Sequence, residues 1–146
     1  MVTNKKKFNN SEQHLGMVDV LRKESTYSFD ETVKRTEEAL ASEGFGHLLS
    51  KGLDEMFKLK LGVDFPRYTI ILACAPELAK MGLEASLDVG TLYPCSFVVY
   101  EDKGKVMVSH TSIMRAASEL ELAPTDVMVP VIEETGKRVN KVWNKI

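Results

Sequence analysis

The chain has 146 residues, 44% apolar and 27% charged, with a net charge of −2. That length suits one domain with a substantial apolar core. The near-neutral charge leaves no electrostatic footprint for nucleic acid or an anionic membrane surface, and no apolar run approaches the roughly 20 residues of a bilayer span.

Residues 1–16 are polar and unpatterned. They predict a flexible tail that includes the solvated Lys5-Lys6-Lys7 run and shows no secretory h-region. Residues 17–146 then read as a single α+β domain. Met17 to Tyr27, with Val18, Val20 and Tyr27 among polar residues, predicts a first strand. Ser28 and Glu31 stand at capping-box spacing, and Phe29, Val33, Thr36, Ala39 and Leu40 recur at helical spacing. Gly44 supplies a left-handed stop.

Phe45 to Leu53 is extended in pattern, and Asp54 to Leu61 reads as a short helical turn. Tyr68 to Cys74 is a β-branched, apolar run, which predicts a strand buried on both faces. Pro76 suits the first position of a helix carrying Leu78, Ala79, Met81 and Leu83. Ser96 to Glu101 and Val106 to Ser109 predict two strands joined by a tight turn at Asp102-Lys103-Gly104-Lys105. From about Val127 a stripe of Met128, Val131, Ile132, Thr135, Val139, Val142 and Trp143 predicts a closing helix with Pro130 in its first turn. The order β-α-β-β-α-β-β-α predicts a two-layer α+β sandwich, a mostly antiparallel sheet with helices on one face.

Only two cysteines are present, Cys74 and Cys95. Without a denser cysteine framework they fit free thiols in a reducing cytoplasm. If the second to fifth strands pair antiparallel, the third ends and the fourth begins at the same sheet end. That end would gather both cysteines with His47 and His110. Cys74 also immediately precedes a helix start, where unpaired N–H groups favour a thiolate. Cys74 and Cys95, with their neighbours Ala75, Pro94 and Ser96, are therefore the candidate ligand-binding or redox site. The plain alternative is that both thiols are small core hydrophobes.

A metal or haem site would draw on Cys74, Cys95, His47 and His110, whose ligand chemistry suits a soft metal. No Cys-x-x-Cys or His-x-x-x-His pair supports it, and the sequence specifies no cofactor. Glycine-rich phosphate loops, the Gly-x-Ser-x-Gly elbow and His-Glu-x-x-His are all missing. The balance points to a binding or auxiliary protein rather than an enzyme.

The segments Ser28-Phe29-Asp30-Glu31-Thr32-Val33, Gly44-Phe45-Gly46 and Lys60-Leu61-Gly62-Val63-Asp64-Phe65-Pro66, together with both cysteine motifs, resemble a family known as a domain of unknown function, numbered 302. The resemblance runs from about Val20 to Ser109 and loosely through the last helix. It implies a TATA-binding-protein-like α+β fold and a homodimer, and carries no established activity. An asparagine usually follows each cysteine in that pattern; here Ala75 and Ser96 stand instead, which weakens any inherited ligand. An expected Asp-Pro after the last strand is replaced by His110-Thr111-Ser112. The expectations are thus a homodimer with a small-molecule ligand near the thiols, with a structural interaction module as the alternative.

Overall fold

In the computed structural model, residues 20–146 are described. The expected tail over 1–16 and the first residues of the expected first strand lie outside them. Strand β1 (Val20–Glu24) leads into α1 (Phe29–Ser42). Ser28 Oγ accepts a hydrogen bond from the Glu31 N–H at 3.2 Å, as the cap spacing requires. The Glu31 carboxylate does not return the bond; it lies 3.2 Å from Arg35 Nε one turn on. The helix ends before Gly44, whose φ of +81° no β-carbon would tolerate cheaply.

Strand β2 (Gly46–Gly52), α2 (Leu53–Leu61), β3 (Tyr68–Cys74) and α3 (Pro76–Ala85) follow, then a 3₁₀ turn over Leu87–Leu92. The hairpin β4 (Cys95–Asp102) and β5 (Lys105–Thr111) turns through Lys103 and Gly104, both at positive φ. Helices α4 (Ile113–Glu119) and α5 (Thr125–Lys145) complete the described chain.

The five strands form one sheet in the order β1-β5-β4-β3-β2, antiparallel throughout. Strands β1 and β2, joined by α1, therefore point the same way from opposite edges. One face packs under the helices. Ile71, Ala73, Cys95, Phe97, Val99 and Val108 from the sheet meet Phe29 and Leu40 of α1, Leu78 of α3, and Met128, Val131, Val142 and Trp143 of α5 in a continuous core. No helix among the described residues is long and apolar enough to cross a membrane.

Three expectations change. The short helical turn expected over Asp54 to Leu61 is the helix α2, whereas α4 has no place in the expected order, although Ser112 caps it by accepting from the Arg115 N–H at 3.3 Å. Helix α4 has seven residues, too few repeats for a periodic signal. Pro130 lies inside α5 and not in its first turn, because the helix begins at Thr125. Its site is exposed, so water can meet the carbonyl that loses its helical partner. Strand β3 is buried on one face only: Ile71 and Ala73 are covered, while Ile70 and Leu72 stay half-buried on the face away from the core.

Candidate functional site

Register places the site residues. Ala73 pairs with Cys95, Gly46 with Cys74, and Phe97 with His110. The end of β3, the start of β4 and the end of β5 thus meet at one end of the sheet, as the strand polarity predicts. The chain turns there from Cys74 into α3, with Pro76 at its first position; the cap residue Ala75 offers no hydrogen-bonding side chain.

A cavity of about 30 Å³ lies at this junction, lined by Cys74, Ala75, Pro94, Cys95 and His110 from the sheet end. Phe45, Leu78, Ala79, Tyr93, Ile113, Met114 and Thr135 complete its lining from the surrounding elements. That space holds one or two water molecules, far less than a drug-sized ligand needs. Both cysteines are free; Cys95 is buried and Cys74 half-buried. Burial, and then the neighbouring Cys74, push the Cys95 thiol up to about 12, so it is protonated at neutral pH. The same two causes raise the Tyr93 phenol.

His110 is buried to 3% exposure and stacks on Phe97, with ring centres 4.1 Å apart. Its Nδ1 lies 2.8 Å from the Ser96 carbonyl oxygen. A carbonyl can only accept, so Nδ1 carries the proton and Nε2 presents a lone pair. Burial drives the imidazole down to about 4, partly opposed by the Ser96 bond, so it is neutral at pH 7. Nε2 has no partner, and neither does the buried Thr135 Oγ1. Both residues line the cavity.

Tyr93 forms another wall, its hydroxyl donating to the Ala79 carbonyl at 2.8 Å. It fits because residue 82 is glycine: a β-carbon there would stand 2.2 Å from the phenol oxygen. The Tyr93–Pro94 peptide is cis.

Of the candidates read from sequence, Cys74, Ala75, Pro94, Cys95 and His110 come together. Ser96 contributes its backbone carbonyl, while its side chain lies on the other face. His47 does not join them; its Nε2 sits 2.8 Å from Ser50 Oγ and 3.9 Å from Glu37 Oε1, exposed beside α1. Among the described residues no group of three His, Cys, Asp or Glu side chains could hold a metal ion. Sequence reasoning missed Thr135 as a site residue, because it reads there as one position of the α5 stripe. A hydroxyl on an otherwise apolar stripe was the available signal.

The model of a domain of unknown function, DUF302, matches residues 21–146. The chain belongs to the DUF302 family. A crystal structure of an uncharacterised conserved DUF302 protein from Bacillus stearothermophilus is similar at 25% identity, with a TM-score of 0.77; the match covers 86% of this chain and 96% of that one. No curated protein matches the chain. DUF302 membership agrees with the α+β fold and assigns the cavity no ligand.

Proposed function

We propose that this DUF302 protein is a cytoplasmic, homodimeric auxiliary protein that binds a small molecule through the cavity beside Cys74 and Cys95. One observation carries the reading: two buried polar atoms on different elements, His110 Nε2 and Thr135 Oγ1, lack partners and belong to the same thiol-lined cavity. Leaving a buried polar group unpaired costs about 1–3 kcal/mol, so such atoms call for an occupant or a role. Because Nε2 is an acceptor at pH 7, the occupant is a hydrogen-bond donor. Its size limits it to water or the hydroxyl or thiol end of a small molecule.

The test is titration of isotope-labelled protein with ethanol and with 2-mercaptoethanol, followed by NMR. Saturable shifts confined to Cys74, Cys95, His110 and Thr135 are expected. Unchanged cavity resonances with both probes overturn the reading. A soft-metal site draws less support: His47 lies apart beside α1, and among the described residues no group of three His, Cys, Asp or Glu side chains is placed to hold an ion.

The outer face of β3 and β4 supports a second copy as partner. Ile70, Leu72, Val98 and Tyr100 alternate with core residues yet are only half-buried, on the face away from the core under α1, α3 and α5. A strand apolar on both sides is the pattern of a sheet covered on both sides. Five strands of about seven residues present roughly 500 Å² per copy, or roughly 1,000 Å² for a pair, the threshold of a specific interface.

A further inference from the structure

Resting on the cavity reading above, we propose that Cys74 is a site of oxidation by small hydroperoxides, and that the cavity holds the resulting sulfenic acid through a hydrogen bond from its hydroxyl to His110 Nε2.

Three features of the geometry converge on this. The cavity of about 30 Å³ accommodates one or two heavy atoms, and a sulfenic acid adds one oxygen to the sulfur. Cys74 is the more accessible thiol of the pair, so hydroperoxide reaches it before it reaches buried Cys95. The orphan groups supply what an S–OH lacks in an apolar pocket: an acceptor at Nε2 and a hydroxyl at Thr135 that can give or take a hydrogen bond.

The step balances without any further reagent. The Cys74 sulfur attacks one oxygen of the hydroperoxide, the S–O bond forms as the O–O bond breaks, and the thiol proton leaves with the departing alkoxide as an alcohol. Sulfur is oxidised and the peroxide reduced by two electrons. Most sulfenic acids are lost by condensing with a nearby thiolate to a disulfide. Cys95 is close, but it is held as the neutral thiol, which is a poor nucleophile. Apolar Leu78, Ile113 and Met114 line the rest of the cavity, and its volume leaves little room for a second oxidant molecule beside the sulfenic acid.

The experiment exposes the full-length reduced protein to one equivalent of hydrogen peroxide. Dimedone, which traps sulfenic acids, is added at timed intervals, and the adduct is located by peptide mass mapping. Expected is a dimedone adduct on Cys74, absent in Cys74→Ser. Its precursor should decay about tenfold faster in His110→Phe, the effect of one lost hydrogen bond. Thr135→Val, which preserves shape, should shorten the lifetime in the same direction and decides the matter should His110→Phe not fold. An adduct on Cys95, rapid Cys74–Cys95 disulfide, or lifetimes unchanged in folded variants overturns the proposal. Retained cavity shifts with ethanol and 2-mercaptoethanol alongside such a result reject the oxidation step alone. Loss of both removes the binding reading as well.

Discussion

His110 shows how one side chain writes a pH dependence into the whole fold. Its imidazole titrates near 4 when folded and near 6.5 when exposed, because burial penalises the cation. Between those values the unfolded chain binds the extra proton and the native state does not, so stability falls as pH is lowered from 6.5 towards 4. The full difference corresponds to about 3 kcal/mol. Chemical denaturation at pH 7.5 and 4.5 measures it, and in His110→Phe the share of the acid loss due to this group should vanish. An identical slope in the variant would mean that carboxylates alone govern acid stability. Cys95 acts in the opposite direction: its thiol is raised when folded, so its contribution is complete below about 9 and fades towards 12.

The contact between α3 and the segment before β4 depends on a missing side chain. Gly82 lies under the Tyr93 hydroxyl, so Gly82→Ala forces the ring away and should cost about 2 kcal/mol, despite alanine's better helix propensity. Since the severe clash is with the phenol oxygen, while the flexible end of Met114 stands at 3.3 Å, Tyr93→Phe should recover much of that loss in the double variant. Thermal melts of the four-member cycle check this, and simple additivity would show that the packing relaxes elsewhere. The elements with strong local signals were legible from sequence: the Ser28 cap, the Gly44 stop, Pro76 at a helix start and the Lys103-Gly104 turn. Those without them were not. Helix α4 has seven residues, and the α5 start depends on Pro124 and Thr125, which carry no apolar repeat.

For the whole molecule, the apolar face away from the core is the unresolved demand of the fold. If a second copy covers it, Val98→Glu should shift the protein from dimer to monomer in sedimentation without unfolding it, because Val98 lies outside the core. A dimer of unchanged affinity would place the interface elsewhere. The sequence run Phe97-Val98-Val99 could not say which face is covered. Only the packing of Phe97 and Val99 under α1 and α5 leaves Val98 on the other side. The site was partly legible for a related reason. Strand polarity alone brought Cys74, Cys95 and His110 to one end, whereas Thr135 arrives from a distant helix whose rotation no local pattern specifies. His47 shares that end by register but turns to α1, drawn by Ser50 and Glu37.

The strand order has a temporal consequence. Strand β1 is the first element of the described chain to leave the ribosome, yet its only partner is β5, with Val20 opposite Thr111. The four strands from β2 to β5 each pair with their neighbour in sequence and can assemble as they emerge. The earliest strand waits unpaired through the synthesis of most of the domain, and its docking beside β5 completes the sheet.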